Sequence, residues 1–485
     1  MTAALPVVEE LVPAPDPFET CLRLAGEPFL IFLDSANQGG PRGRYSFLAA
    51  DPPTVLRARG QDTYQWLAED GRWVQVTGDA LTVVADMLAR YATPACPDLP
   101  PFQGGAAGYL SYEWGAALEH VPRARHTDLG LADLMLGIYD WVVAWDHATQ
   151  RAWVIATGLP APGPERRQRA VRRLAHVRDR LARGSSDATR DLHRVVRQPH
   201  GSAPSYPVVG ATPFPLRSTF TRDAYVGAVS RVLDYIRAGD VFQANLSQRF
   251  HAPLLGTSLE LYERLRGRNP APFSAYLDYG DLAVASASPE RFLCARDGQV
   301  EARPIKGTRR RGADLGEDAA LAAALMRSVK DRAENVMIVD VVRNDLARVC
   351  RTGTVRAPEL CVIERYATVQ HLVSTVVGEL AAGRSVPDLV RATFPGGSVT
   401  GAPKVRAMQI IAELEPTERG LYCGAIGYWS VSGAFDSNIA IRTCVVLGRD
   451  VYFHAGGGVV ADSDPDEEWN ETLHKAQGLF AALAP

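Results

Sequence analysis

Four acidic residues fall into two pairs at i, i+3 spacing: Asp331 and Glu334 in KDRAENVMIVDVVRND, and Glu468 and Glu471 in DEEWNETLHK, with Lys475 one turn further on. On a helix this spacing places each pair on one face, about one turn apart. Oxygen ligands on rigid helices suit Mg²⁺, which commonly takes one or two carboxylates, keeps several waters and completes its shell from an anionic substrate. An ordinary solvated helix face has the same spacing, so these acids need a second clue.

A carboxyl and an amine form a second candidate constellation. Glu290, in ASPERFL, and Lys306, in RPIKGTRRRG, each follow predicted strand material and precede turn residues. A hairpin between them would bring both side chains to one end of a sheet, as an acid/base and nucleophile pair or as a salt bridge. An ordinary lysine, with a pKa of ~10.4, is neutral in only roughly one molecule in 2,500 at pH 7. A nucleophilic Lys306 therefore requires burial or cationic neighbours, and Arg303, Arg309, Arg310 and Arg311 are the neighbours at hand.

Two glycine runs, FPGGSVTGAPK (394–404) and HAGGGV (454–459), are read either as tight turns or as backbone that approaches an anion closely. Neither G-x-x-x-x-G-K-[ST] nor G-x-G-x-x-G occurs, so nucleotide binding has no support. Arg442 in DSNIAIRTCVV and His371 in VQHLVSTVV sit among apolar residues, where a polar side chain must meet a structural partner or a ligand.

The elements that must position these residues are read from pattern. Before residue 160 short apolar runs such as FLIFL, YSFL and LGIYDWVVAW alternate with turn signals, as in a mostly β layer. An arginine-rich amphipathic helix follows, its apolar stripe at Val171, Leu174, Val177 and Leu181 and its outer face solvated. The Pro, Gly and Ser content of residues 198–217 marks a linker between an N-terminal region, 1–197, and a second unit, 218–485. In that unit, helices are expected over 221–238, 317–329, 331–349, 405–414 and 467–483, with strands over 241–250, 282–287, 423–431, 439–447 and 451–455.

Composition excludes some classes. Across 485 residues, 46% are apolar and 22% charged, and Lys+Arg 52 against Asp+Glu 55 leaves a net charge of -3, which disfavours nucleic acid as a partner. No apolar run reaches the ~20 residues that a membrane span needs. The seven cysteines are scattered and form no C-x-x-C, and the N-terminus lacks a signal-peptide pattern, so a cytoplasmic setting is expected.

Taken in order, IRAGDVFQANLSQRF, SPERF, RPIKGT, KDRAENVMIVDVVRNDLARV, HLVSTV, FPGGSVTGAPKVRAM, CGAIGYWS, DSNIAIRTCVV and AGGGVVADSDPDEEWNETLHKA resemble the chorismate-utilising enzymes, the family of anthranilate synthase component I and aminodeoxychorismate synthase component I. The resemblance covers nearly the whole chain. It implies an α/β (α+β) fold with a large two-layer, sandwich-like core of mostly antiparallel sheets flanked by helices. PIKGT, with Lys306 where the anthranilate branch typically has a small residue, is similar to the aminodeoxychorismate branch, as are FPGGS and NPAPFSAYL. That branch forms 4-amino-4-deoxychorismate on the way to 4-aminobenzoate and folate. Anthranilate formation, or a non-catalytic chorismate-binding subunit, is the alternative.

The resemblance also implies roles. Glu334 and Glu471 would bind Mg²⁺ directly, supported by Asp331 and Glu468. The metal and the backbone N–H groups of Gly456, Gly457 and Gly458 would hold the ring carboxylate, and Arg442 and Tyr422 the enolpyruvyl carboxylate. Gly307, Thr308, His371, Ser398 and Lys475 would line the site, with Glu290 as general acid and Lys306 as nucleophile. Ser398 stands where many relatives have Thr. Ammonia is expected from a separate glutamine amidotransferase subunit, because no cysteine lies in a G-x-C-x-G turn. Ser35, Arg44 and Tyr45, with Pro272, Phe273 and Ser274, resemble the family's tryptophan pocket.

Overall fold

Strands buried on both faces read as continuous apolar runs. The segment Trp141–Asp146, WVVAWD, is of this kind: every one of its residues is buried, and it pairs with Tyr45–Ala49 on one side and Arg151–Ala156 on the other. The computed structural model describes residues 5–36, 42–183, 203–208, 212–366 and 369–484. Within them, strands assemble into a 13-stranded and a 12-stranded sheet, and every ladder between named strands is antiparallel.

Apolar side chains from both sheets, among them Ile31, Phe47, Leu277, Val55, Tyr109 and Tyr428, form a core between them. The outer face of the first sheet packs against Pro17–Leu24, Gly163–Arg183, Ser258–Arg268 and Pro465–Leu483. The outer face of the second packs against Ala80–Arg90, Val329–Ala347 and Val386–Thr393. The expected two-layer, helix-flanked core is what the chain builds. Among the described residues no helix is long and apolar enough to cross a membrane.

The expected boundary at 198–217 does not separate the sheets. Leu30–Asp34 pairs with Phe273–Asp278, and Gly105–Leu110 with Ala425–Ser430, so both sheets draw strands from either side of it. Residues 198–202 and 209–211 lie outside the described residues. Of the remainder, Tyr206–Pro207 pairs with Arg217–Ser218, which pairs with the edge of Gln243–Pro253; part of the linker is thus itself strand.

A buried ion pair reinforces this interleaving. The guanidinium of Arg249 donates to both oxygens of Asp128, at 2.9 and 2.6 Å, with both residues under a tenth exposed. Asp128→Ala leaves that cation buried and unpaired, an expected loss of about 3–5 kcal/mol in urea unfolding. Asp128→Leu combined with Arg249→Met recovers most of it, because two apolar groups leave no charge to desolvate.

Two local expectations shift. On Gly163–Arg183 the buried stripe runs through Ala170, Leu174 and Val177, with Leu181 half-buried, while Val171 is 50% exposed. Offsets of 0, 4, 7 and 11 follow one helical face, and Val171 stands about 100° away from it. The arginine face is not simply solvated: Arg169 and Arg173 converge on buried Asp140, and Arg180 pairs with Glu27. The strand expected over 439–447 begins only at Thr443. Arg442 before it takes a left-handed backbone, φ 50°, and turns the chain out of the sheet.

Candidate active site

Glu290 lies between the strands Leu282–Ser288 and Arg291–Arg296. The latter pairs with Gln299–Ala302, and this hairpin returns the chain so that the Ile305 N–H donates to Glu290 Oε1 at 3.3 Å. Ser398 Oγ donates to the same oxygen at 2.7 Å. Burial raises the Glu290 carboxyl from 4.5 to about 7, against the opposing pull of those two hydrogen bonds and of Lys306.

Lys306 comes one residue after Ile305, at the start of Ile305–Arg310, where the ladder with Val369–Glu379 slips between Ile305 and Thr308. Gly307 makes this irregularity possible. Its φ is 83°, and a Cβ there would lie 2.9 Å from Leu325 Cδ1 and 3.0 Å from Asp331. The Lys306 amine reaches Gly458, where an added Cβ would sit 3.4 Å from Nζ. Burial holds the Lys306 pKa below the ordinary lysine value; the Glu334 carboxylate opposes this, and Lys475 adds to it.

The four arginines around Lys306 are committed elsewhere. Arg303 bonds Glu359, Glu364 and Thr375; Arg309 pairs with Asp331 at 2.9 Å; Arg310 pairs with Glu317 and Arg311 with Asp318. The cation that depresses Lys306 is therefore Lys475, on the helix Pro465–Leu483, and not a neighbour in sequence.

The acidic pairs face this amine from two helices. Asp331 and Glu334 lie on Val329–Ala347, and Glu468 and Glu471 on Pro465–Leu483. Ser463 Oγ donates to Glu468 Oε1 at 2.7 Å, while Oε2 is buried without a partner. A Cβ on Gly457 would fall 2.7 Å from that oxygen and 3.3 Å from Glu471 Oε1, so both carboxylates converge on the glycine. Burial raises the Glu334 and Glu468 carboxyls. Desolvation works the same way on Glu471, but Lys475, in contact with Oε1 at 2.6 Å, and Lys330 bring it below its usual value.

Gly456–Gly458 belongs to a strand, Asp450–Val459, and not to a turn. Asn245 and Ser247, opposite Gly458 and Gly456, send their N–H groups away from it, to Thr400 O and Glu415 Oε1. Gly456 and Gly458 therefore direct their own backbone groups away from this ladder, and Gly457 directs its groups into it. The neighbouring strand Thr443–Leu447 pairs no further than Phe453, which leaves that edge open beside Arg442.

His371 and Arg442 form a second, drier group. Thr308 Oγ1 lies 2.8 Å from His371 Nδ1, and the buried Nε2 has no partner. Burial, then the charge of Arg442, lowers the imidazole to about 3, so it is neutral at any physiological pH. The Arg442 guanidinium has no hydrogen bond or ion pair among the described residues, and its pKa is lowered by burial alone. Tyr422 stacks on His454, ring centroids 5.1 Å apart, and carries Arg419 over its ring at 5.7 Å.

One group in this site escaped sequence reasoning. Gln243 is fully buried, neither end of its amide has a partner, and its Nε2 lies 2.4 Å from where a Gly458 Cβ would be. An inward position along VFQANLSQRF was the available signal.

Between the sheets lies a separate cavity of about 80 Å³, and it brings together Ser35, Tyr45, Pro272, Phe273 and Ser274. Arg44 is not part of it: its guanidinium turns outward to Asp146, at 3.1 and 2.9 Å. Arg42 takes that place, within 3.8 Å of Glu301 and 3.7 Å of Glu364. Arg291, the residue after Glu290, also lines this cavity.

Among the described residues no three side chains form a ready-made metal cage. A hydrated divalent ion does not need one. An unpartnered buried carboxylate oxygen on Glu468, with Glu471 converging on the same glycine and Glu334 interacting with Glu471, fits such an ion.

Residues 30–481 match the family described as chorismate binding enzyme. Anthranilate synthase component 1 of Aquifex aeolicus is 38% identical over 476 residues, 98% of this chain and 93% of that protein. Aminodeoxychorismate synthase component 1 of Escherichia coli is 37% identical over 462 residues, 95% and 94%. The crystal structure of anthranilate synthase component I from Streptococcus pneumoniae superposes with a TM-score of 0.76 at 31% identity, covering 90% of this chain and 92% of that one.

Proposed function

This chain belongs to the chorismate-binding enzyme family, and from that premise we propose that it aminates chorismate to 4-amino-4-deoxychorismate, with ammonia supplied by a glutamine amidotransferase subunit. Its similarity to the anthranilate and aminodeoxychorismate relatives is nearly equal, so the reading rests on one residue. Lys306, its pKa lowered by burial, lies beside an acid that is half protonated near neutrality.

In this reading Arg442 and Tyr422 bind the enolpyruvyl carboxylate, and the outward N–H groups of Gly456 and Gly458 bind the ring carboxylate. Gly307, Thr308, His371 and Ser398 shape the walls. Glu334 and Glu471 would hold Mg²⁺, with Glu468 and Asp331 supporting it, and the bound ion would supply a fixed positive charge beside the ring carboxylate. Neutral Lys306 attacks C2 as the C4–O bond breaks, and protonated Glu290 delivers its proton to the departing oxygen, which leaves as water. Ammonia then bonds to C4 and the C2–N bond to Lys306 breaks, returning the lysine. The free amide of Gln243 offers the incoming amine an acceptor. Excess positive charge on nitrogen returns as a proton to the Glu290 carboxylate, so the cycle closes without an outside acid.

Product analysis tests this. With chorismate, Mg²⁺ and ammonium, 4-amino-4-deoxychorismate should accumulate without release of pyruvate. Anthranilate with stoichiometric pyruvate, in the absence of any lyase, would overturn the reading in favour of the anthranilate branch.

A further inference from the structure

Each acid of the carboxylate cluster already faces a basic side chain before any metal arrives. Asp331, Glu334, Glu468 and Glu471 are met by Arg309, Lys306, Lys330 and Lys475. Their attachments differ. Arg309 is hydrogen-bonded to Asp331, while Lys306 and Lys330 act on the carboxylates through their fields. Lys475 is in direct contact with Glu471, at 2.6 Å, and its Nζ also donates to the Gly456 carbonyl at 3.0 Å. It thus bridges a carboxylate expected to bind metal and the open strand edge where an anion would sit.

The contact is weakly held. Glu471 and Lys475 are one turn apart on the same helix, and their side chains are 46% and 50% exposed. A half-exposed i, i+4 pair is a marginal interaction. A divalent ion competing for Glu471 meets a small barrier, while Glu468 Oε2, buried and unpartnered, offers it a second oxygen. Once displaced, the Lys475 ammonium stays tethered within reach of the Gly456 edge.

We infer that Lys475 is a positioning residue that occupies the metal's place on Glu471, and that metal binding hands it over to the substrate carboxylate at Gly456. The inference rests on the chorismate reading for the identity of the anion, but not for the exchange at Glu471. Its consequence is reciprocal coupling: the metal frees a cation for the anion, and the anion holds that cation away from the metal, so each raises the other's affinity.

The test is direct metal binding by the intact chain, with Mn²⁺ followed by electron paramagnetic resonance and Mg²⁺ by competition, without ammonia. Removing a unit charge about 4 Å from a divalent ion should tighten binding about tenfold after screening. Lys475→Met should therefore bind Mn²⁺ about tenfold more tightly than wild type when chorismate is absent, and chorismate should enhance its metal affinity less than it does in wild type. Lys475→Arg, which restores the charge, should return to wild-type affinity. Equal or weaker Mn²⁺ binding by Lys475→Met, or an Arg variant that behaves like Met, overturns the inference and leaves the functional reading standing. Wild-type protein that binds Mn²⁺ but not chorismate overturns the functional reading, while the Met variant still reports on the exchange. Absence of Mn²⁺ binding at any concentration overturns both.

Discussion

On the proposed reaction, Lys306→Ala should lose amination: with saturating ammonium and Mg²⁺, formation of 4-amino-4-deoxychorismate is expected to fall by ~10³-fold or more, the scale of removing a group that forms a covalent intermediate. Chorismate should still bind, because Arg442 and the Gly456 and Gly458 backbone are untouched. The fold should not suffer either. The Lys306 ammonium is disfavoured by burial, so truncation removes a cost along with the chemistry. Retained activity would refute the covalent route, and a turn toward anthranilate would place the choice of product on this side chain. The pH profile of wild type has a fixed sign. Lys306 must be neutral, so kcat/KM rises with pH through its lowered pKa. Glu290 must be protonated, so kcat/KM falls as pH rises through about 7.

Glu290→Gln has two opposite effects. Activity should fall by ~10²–10⁴-fold, because hydroxide leaves poorly without a proton donor. Stability should move the other way above neutrality. The folded-state pKa is raised from 4.5 to about 7, so between these values the folded protein holds a proton that the unfolded chain releases. The stabilisation belonging to the protonated acid is complete below pH 4.5 and is lost as pH rises through about 7, a change of about 3 kcal/mol. The amide cannot ionise, so unfolding of the variant in urea should lack that decline. A variant that loses stability between pH 5 and 8 as steeply as wild type would mean that folding does not raise the Glu290 pKa.

Much of the site is written in local sequence. The i, i+3 acids fall on the helices Val329–Ala347 and Pro465–Leu483 because helical periodicity is a local property, and two strands flanking a tight turn bring Glu290 and Lys306 together within a short stretch of chain. What stayed hidden depends on distant partners. Arg42 and Arg44 are indistinguishable in composition, but the pairing of Tyr45–Ala49 with Trp141–Asp146 turns Arg44 to Asp146 and leaves Arg42 for the cavity. The glycines at 456–458 left a turn and a close backbone approach both open; they are strand residues at which Leu246 O, Glu468 and Gln243 leave no room for a Cβ. The unpartnered amide of Gln243 can be recognised only when every possible partner has been placed. The Pro- and Gly-rich stretch at 198–217 suggested two units, because composition records a break in pattern but not which strands pair across it.

The interleaved sheets also bear on how the protein is made. A chain synthesised from its N-terminus completes Gln243–Pro253 long before Asp450–Val459, the strand that must cover it, and the Gln248–Thr472 hydrogen bond joins residues 224 apart. Until the last strand emerges, the nascent chain carries an open sheet edge that attracts other strands. The same delay means that Glu468, Glu471 and Lys475 arrive last. A molecule released early therefore lacks those three side chains and the glycine edge together, and carries only a half-built site.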